Sequence, residues 1–263
     1  MLIIIKLGGS VITDKNKYMV PDKKNISRLA KEIAEARRER KIDLVLVHGA
    51  GSFGHMPAKK YGIKEGIFNE RQRFGFAYTN YSCSMLSQRI VSALLKEGIP
   101  AIVVTPLTVI SHTGKKLKKF DTTVVSALLK YGYVPVMRGD VVLDDKICGS
   151  ISSGDEQVPY LARDLNADNI IYGVDVDGIF TADPKTNKNA KLIPLITKKN
   201  INKALSYLEE AKTNDVTGGM KSKITELLQS ASVPIYIVNA RKPTNMKKML
   251  LNQKVINTKI SLA

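Results

Sequence analysis

Residues 42–55 constrain the fold more than any other part of the chain. An apolar run at 44–47 stops at a glycine-rich turn, residues 49–54, and His55 follows directly. A short β-branched run that ends in glycines is typical of a buried strand leading into a loop. Glycines let the backbone approach a ligand, and the first N–H groups of a following helix favour an anion such as phosphate. We therefore predict an anion site here, with His55 at its rim as a hydrogen-bond donor.

The same turn also matches the G-x-G-x-x-G pattern of dinucleotide-binding folds. That pattern expects an acidic residue about 20 positions further on, at the end of the next strand. Residues 70–73, Glu-Arg-Gln-Arg, occupy this region and follow no strand-like run. A dinucleotide site is therefore disfavoured, whereas a plain structural turn stays open on the evidence of this loop alone.

Strand-like and helix-like segments alternate along the whole chain. Predicted strands lie at 2–7, 44–47, 99–105, 134–137, 169–174, 235–238 and 255–260, with hairpins at 110–120 and 141–148. Predicted helices lie at 23–40, 77–96, 122–131, 158–165, 199–212, from 217 to about 232, and at 246–251, and residues 62–76 are expected to be irregular. This alternation predicts an α/β protein with a mainly parallel sheet, in which ligands bind at the carboxyl ends of the strands.

Charge is the part of the composition that bears on partners. The 41 basic and 24 acidic residues give a formal net charge of +17. Nucleic-acid binding is one interpretation, but the basic residues are scattered and no aromatic residues interleave with their small clusters. A positive field that attracts small anionic substrates explains the charge equally well. For most of these residues we expect no more than a solvated, lysine-rich surface.

The cysteine content and the N-terminal residues bear on the cellular compartment in which the protein is expected. Cys83 and Cys148 match neither a metal-ligand spacing nor a disulfide framework, so a reducing cytoplasm is expected. Residues 1–6 are too short for the apolar region of a signal peptide and lack its basic start. No apolar run approaches the length needed to cross a bilayer.

The polar groups expected at the sheet edge suit a phosphoryl-transfer site. They are Lys6, Lys15, His55, Asp155, Asp175 and Lys223. Phosphoryl transfer requires alignment of donor and acceptor and neutralisation of charge, which lysines and backbone N–H groups supply. The sequence contains neither a Walker A sequence nor an H-R-D or D-F-G set, so it is neither a P-loop enzyme nor a protein kinase. No set of carboxylates completes a metal cage, so Mg²⁺ is expected to be bound mainly by nucleotide phosphates and water.

Four features in order resemble the amino acid kinase superfamily. They are Lys6-Leu7-Gly8-Gly9-Ser10, the turn at 49–54, Asp175-Val176-Asp177-Gly178-Ile179 with Asp183-Pro184, and Gly218-Gly219-Met220 with Lys223. Within that superfamily, residues 51–55 and Ser153-Gly154-Asp155 resemble the archaeal-type isopentenyl phosphate kinases. The histidine separates these from acetylglutamate, aspartate and uridylate kinases, and the fosfomycin kinases are the nearest alternative.

The resemblance implies a fold and an activity. The implied fold is a three-layer αβα sandwich with a mainly parallel central sheet shared by two lobes, residues 1–168 for the acceptor and 169–263 for the nucleotide. The implied reaction is the ATP- and Mg²⁺-dependent phosphorylation of isopentenyl phosphate to isopentenyl diphosphate. The implied assembly is a homodimer, with no nucleic-acid or membrane partner.

The resemblance also assigns roles to individual residues. Lys6 would contact the transferring phosphoryl group, Lys15 would stabilise charge in the transition state, and Asp155 would orient Lys6 and Lys223. The implied nucleotide-binding residues are Lys6, Gly8, Gly9, Ser10, Gly51, Asp175, Gly219 and Lys223. The implied acceptor-binding residues are Ala50, Gly54, His55 and Gly154.

The isoprenoid tail of such an acceptor requires an apolar pocket. Its candidate lining residues are Phe76, Tyr78, Met85, Leu86, Met137, Ile147 and Ile151. Residues at this helix or strand spacing are more often plain core. We treat His48 and His112 as structural.

Overall fold

A computed structural model describes residues 1–14, 16–184, 186–210 and 233–261, and in it strands and helices alternate as the sequence predicts. The strands are β1 Leu2–Leu7, β2 Asp43–His48, β3 Ala101–Val103, β4 Ile110–Thr113, β5 Lys116–Phe120, β6 Val134–Arg138, β7 Asp140–Asp144, β8 Cys148–Ser152, β9 Asn169–Val174, β10 Leu195–Ile196, β11 Ile235–Asn239 and β12 Asn257–Ile260. The helices are α1 Gly9–Ile12, α2 Lys23–Glu39, α3 Gly51–Tyr61, α4 Glu70–Lys96, α5 Pro106–Val109, α6 Thr123–Lys130, α7 Gly154–Asp164, α8 Ile201–Glu210 and α9 Asn245–Leu250.

The main sheet has eight strands in the order β10-β12-β11-β9-β1-β2-β6-β3. All neighbouring pairs are parallel except β11 and β12, which are antiparallel. A smaller sheet in the order β5-β4-β7-β8 lies beside it. Because β1 has a strand on each side and apolar layers above and below, its sequence is almost continuously apolar, as in other buried parallel strands.

Two apolar cores lie on opposite faces of the main sheet. Alternate residues of β1 point to opposite faces, so Ile3, Ile5 and Leu7 enter one core and Ile4 enters the other. Helices α2, α4 and α9 contribute side chains to the first core, and α6, α7 and α8 contribute to the second. These helix layers on both sides of a mainly parallel sheet confirm the predicted α/β fold class.

Two helices, α4 and α7, begin earlier than predicted, and α3 lies where a loop was predicted. Helix α3 begins at Gly51, so most of the predicted 49–55 loop is helical and His55 lies in the second turn of α3. Helix α4 begins at Glu70 because the Asn69 side chain caps it by accepting a hydrogen bond from the Gln72 amide at 2.9 Å. The prediction of an irregular 62–76 segment is therefore wrong for its second half. Helix α7 begins at Gly154, where Ser153 Oγ accepts from the Glu156 amide at 3.0 Å.

The remaining differences between the predicted and the observed elements are smaller. The second hairpin extends beyond the predicted 141–148 because β8 continues to Ser152. The short helices α1 and α5 were not predicted, and the predicted helix from 217 to about 232 lies outside the described residues. None of the helices in the described ranges combines the length and the apolarity that crossing a membrane requires.

Candidate active site

A cavity of about 260 Å³ lies at the carboxyl ends of the central strands, and we call it the central cavity. It is lined by Lys6, Gly9, Gly49, Ala50, Gly54, His55, Ala58, Thr79, Cys83, Gly139, Asp140, Val141, Ile151, Ser152, Ser153, Gly154 and Asp155. The turns that follow β1, β2, β6 and β8 all contribute to it. This is the position at which open parallel sheets bind ligands.

Lys6 is the buried cation of the central cavity. In β1 it pairs with Val47 on one side and Tyr172 on the other, and it points to the same face as Ile4, which α7 covers. The Lys6 side chain is only 4% exposed, and its Nζ lies 2.8 Å from Asp155 Oδ1. A buried ammonium is costly without an anionic partner, so the first turn of α7 supplies the carboxylate that stabilises it.

Glycines bring the turn after β1 against the turn after β2. A Cβ on Gly9 would lie 2.6 Å from the Gly51 Cα, and Gly51 itself has a φ of +52°, which favours glycine. Thr13 fixes this contact, because its Oγ1 donates to the Gly9 carbonyl at 2.8 Å and accepts from the Ser52 amide at 3.2 Å. The backbone of both turns therefore forms one continuous wall beside Lys6.

Two helix N-termini face the central cavity. Ala50 precedes the first residue of α3, and Gly154 is the first residue of α7; each helix has 11 residues. The first N–H groups of a helix have no partner within the helix, and the aligned peptide dipoles place partial positive charge there. Together with Lys6, these amides make the cavity wall an anion-binding surface.

His55 and His48 differ in exposure and therefore in what they can do. The imidazole of His55 is exposed and lines the cavity, so it can reach a ligand. His48 is fully buried; its Nδ1 donates to the Gly49 carbonyl at 3.0 Å, and its Nε2 accepts from Ser87 Oγ at 2.8 Å. Burial lowers the pKa of His48 from 6.5 to about 4, with Arg138 contributing in the same direction, so the ring is neutral at physiological pH.

The buried His48 predicts acid sensitivity. The unfolded chain takes up a proton on this ring below pH 6.5, whereas the folded chain does so only near pH 4, so stability falls as pH falls through that window. The loss should be on the order of 3 kcal/mol. Between about pH 7 and about pH 4, the melting temperature of His48→Gln should therefore fall by less than that of the wild type. An equal loss in both proteins would contradict this role, since all other titrating groups are shared.

The central cavity also has an apolar part. Ala58, Cys83, Val141 and Ile151 line it, and burial raises the pKa of the Cys83 thiol, which is therefore neutral. Thr79 lies one turn from Cys83 on the same face of α4, and its hydroxyl donates to the Gly75 carbonyl at 2.7 Å. The lining of the cavity thus combines polar and cationic groups with apolar side chains.

Of the seven predicted tail-pocket residues, Ile151 lines the central cavity. Leu86 and Met137 are fully buried in the two cores on opposite faces of the sheet, so for these two the prediction is wrong. Phe76 packs beside the cavity in a small cluster with Ile67 and Val141. Helical spacing on α4 predicts that such residues are buried, but it does not distinguish a core face from a cavity wall.

A buried ion pair supports the cavity wall between β6 and β7. Arg138 Nη2 lies 2.7 Å from Asp140 Oδ2, and both side chains are at most 1% exposed. Asn80 also donates to this carboxylate oxygen at 2.9 Å. Burial raises the pKa of Asp140 to about 6, although Arg138 acts in the opposite direction. Arg138 therefore offsets a negative charge that would otherwise stand in an anion-binding cavity.

Two predicted site residues lie in a separate, more open cleft, which we call the lateral cleft. Ser10 and Asp175 line it with Asp14, Asp22 and Arg241, and its volume is about 650 Å³. Arg241 donates to the Ser10 carbonyl at 2.8 Å, which ties the turn after β1 to the turn after β11. The lateral cleft therefore adjoins the central cavity through the Gly9–Ser10 turn.

The other predicted site residues fall into three groups. The central cavity brings together Lys6, Gly9, Ala50, Gly54, His55, Gly154 and Asp155. Gly8 and Gly51 belong to the turns beside it, where the Gly8 amide donates to the Gly173 carbonyl at 2.9 Å. Lys15, Gly219 and Lys223 lie outside the described residues.

Sequence reasoning missed several cavity residues. Thr79 and Cys83 lie within a long helix, Gly139 lies between β6 and β7, and Asp140 is the first residue of β7. Their local patterns carry no sign of a ligand, although the Arg-Gly-Asp order could have indicated a charged pair across a glycine turn.

The carboxylates of the central cavity are already engaged by cations. Asp155 pairs with Lys6, and Asp140 pairs with Arg138. The part of the chain that the structure describes holds no group of three or more His, Cys, Asp or Glu side chains suited to a metal ion.

Comparisons with known proteins identify the family of this chain. The model of the amino acid kinase family matches residues 1–239. The isopentenyl phosphate kinase of Methanothermobacter thermautotrophicus is 39% identical to this chain and covers 99% of it, with 99% of the relative included. That of Methanocaldococcus jannaschii is 39% identical, with 96% of each protein covered. An X-ray structure of isopentenyl phosphate kinase matches 99% of this chain and 100% of its own at 37% identity, with a TM-score of 0.85.

Proposed function

Because the chain belongs to the amino acid kinase family, and within it to the isopentenyl phosphate kinases, we propose that it phosphorylates isopentenyl phosphate with ATP, forming isopentenyl diphosphate and ADP. One observation of the structure carries this function: the central cavity combines anion-binding groups, at Lys6, His55 and two helix N-termini, with apolar side chains. A small alkyl phosphate has the same two parts.

The acceptor requires no general base. A phosphate oxygen is already anionic at neutral pH, so the obstacle is repulsion between two negatively charged groups. The amides of Ala50 and Gly154 and the imidazole of His55 hold the acceptor phosphate. Lys6 contacts the phosphoryl group in transit and offsets the charge on its oxygens. Asp155 holds the Lys6 ammonium in place, at the observed 2.8 Å.

The nucleotide occupies the other side of the glycine turns. Asp175 and Ser10 in the lateral cleft contact the nucleotide, and the backbone at Gly8, Gly9 and Gly51 approaches its phosphates. Lys15, Gly219 and Lys223 complete the donor side in this proposal. Residues 1–168 then form the acceptor lobe and residues 169–263 the nucleotide lobe.

Further parts of the proposal rest on the family resemblance. The enzyme uses Mg²⁺, which is bound through nucleotide phosphates and water and adds positive charge beside them. It acts as a cytoplasmic homodimer in isoprenoid biosynthesis by the mevalonate route, without nucleic-acid or membrane partners.

A substrate panel tests the proposed function. ADP release is measured with ATP and a series of acceptors: isopentenyl phosphate, shorter and longer alkyl phosphates, and the phosphonate fosfomycin. We expect the highest kcat/KM with isopentenyl phosphate, because its short branched tail suits the apolar side chains in the lining of a small cavity. A preference for the phosphonate would contradict the proposal.

His55→Ala tests the acceptor role of the exposed histidine. Loss of one hydrogen bond to the charged acceptor phosphate should lower kcat/KM for isopentenyl phosphate by about 10²-fold. His55→Gln keeps a neutral donor and should retain more activity than the alanine variant. Wild-type kinetics in His55→Ala would exclude this role.

A further inference from the structure

Gly139 forms part of the wall of the central cavity, between β6 and β7. We propose that the absence of a side chain at Gly139 leaves the space in which the phosphate group of the acceptor binds, so that Gly139 is a specificity-determining residue. This inference rests on the proposed function, because it assumes that the acceptor is a phosphate monoester.

The fold itself does not require glycine at this position. The φ angle of Gly139 lies outside the left-handed region, so an L-residue fits the backbone. A Cβ here would meet its nearest heavy atoms at 3.4 to 3.7 Å, which are ordinary contacts. Gly54 is different, because a Cβ there would collide with the Ala50 side chain. Gly54 is needed for packing, whereas Gly139 is not.

A methyl group added at Gly139 would lie close to the two amides that are proposed to bind the acceptor phosphate. A Cβ on Gly139 would lie 3.4 Å from the Gly154 nitrogen and 3.7 Å from the Ala50 nitrogen. A phosphate oxygen that accepts from such amides lies about 2.7–3.2 Å from each nitrogen. A methyl group in this space would overlap the phosphate oxygens.

The turn cannot move aside to relieve that overlap. The Gly139 amide donates to the His48 carbonyl at 2.9 Å, and the Arg138 carbonyl accepts from Gln157 Nε2 at 2.8 Å. The residues on either side form the buried Arg138–Asp140 ion pair. The position of a side chain at 139 is therefore fixed by three separate interactions.

The tetrahedral shape of the ligand makes this space important. A phosphate monoester presents three oxygens in three directions, so it needs a deeper recess than a planar carboxylate. The absence of a side chain at Gly139 makes the recess deeper, and the amides of Ala50 and Gly154 supply the hydrogen-bond donors. The site is therefore suited to a terminal phosphate group on a short apolar chain.

Gly139→Ala and Gly139→Val test the inference. We expect KM for isopentenyl phosphate to rise by about tenfold or more in the alanine variant and further in the valine variant. KM for ATP should change less than about twofold, because the lateral cleft is untouched. The melting temperature of Gly139→Ala should equal or exceed that of the wild type, since alanine restricts the unfolded chain more than glycine does.

Calorimetric titration with isopentenyl phosphate, without ATP, separates this inference from the proposed function. Weaker binding by Gly139→Ala supports the inference, even if the wild type shows no turnover and the proposed function fails. Equal affinity of the wild type and Gly139→Ala overturns the inference, even if the wild type is an active kinase. A wild type that binds no isopentenyl phosphate overturns both.

Discussion

Replacement of Lys6 by methionine is expected to lower kcat for phosphorylation of isopentenyl phosphate by about 10³-fold. Methionine keeps the apolar stem but removes the ammonium that lies in the cavity wall. The acceptor phosphate and the γ-phosphate of ATP then approach each other with less positive charge to offset their repulsion. This repulsion is stronger at a buried position, such as that of the Lys6 side chain, than in water. Steady-state kinetics with saturating ATP measure the effect, and the loss should appear in kcat more than in KM because it concerns the phosphoryl group in transit.

Lys118 supplies a matched control for this substitution. Its Nζ lies 2.8 Å from Asp145, the same distance as in the Lys6–Asp155 pair, but the two side chains are 56% and 45% exposed. Lys118→Met should therefore leave kcat within about twofold of the wild type, since exposed ion pairs contribute little. Similar activities for Lys6→Met and Lys118→Met would rule out the proposed role of Lys6.

Arg138→Met is expected to lower the free energy of unfolding by about 3–5 kcal/mol. The substitution leaves the carboxylate of Asp140 buried without its cation, although Asn80 and the Val141 amide still donate to it. The pKa of Asp140 is already raised to about 6 by burial, and loss of Arg138 raises it further. Denaturant unfolding measures the change.

The pH dependence of that loss identifies its cause. A folded-state pKa above the unfolded value means that the protonated carboxyl is favoured by folding and that stability falls as pH rises through the folded-state pKa. Arg138→Met should therefore lose more stability at about pH 8 than at about pH 5. The double variant Arg138→Met/Asp140→Asn should recover part of the loss. An equal loss at both pH values, with no recovery in the double variant, would indicate a packing defect instead.

Most strands were predictable, because the burial of a strand determines the residue types along its own sequence; the two-residue β10 was not predicted. The run at 169–174 matches β9 from end to end, since a strand covered on both faces must be apolar throughout. Helix starts were harder, because glycine and serine favour a loop when they are considered alone. Gly51 and Gly54 lack side chains where other segments lie against α3, namely the Gly9 turn and Cys83 of α4. That contact exists only in the folded chain.

The residues of the candidate site were likewise predictable only where the local sequence indicates them. Lys6, His55 and Asp155 were predictable because a charged or polar residue follows or interrupts a strand beside glycines, and the structure brings all three to one cavity. Thr79 and Gly139 were not, because they come from a helix and a turn whose sequences satisfy local rules without reference to a ligand. Their significance depends on which segments the fold places opposite them.

We propose that Lys6, His55 and the amides at two helix N-termini bring an acceptor phosphate against the terminal phosphate of ATP. Phosphorus NMR of the wild-type protein with ATP, Mg²⁺ and isopentenyl phosphate tests it most directly. We predict that the signals of a diphosphate monoester grow as the γ-phosphate signal of ATP falls, in equal amounts. Release of inorganic phosphate without any diphosphate product would contradict the claim.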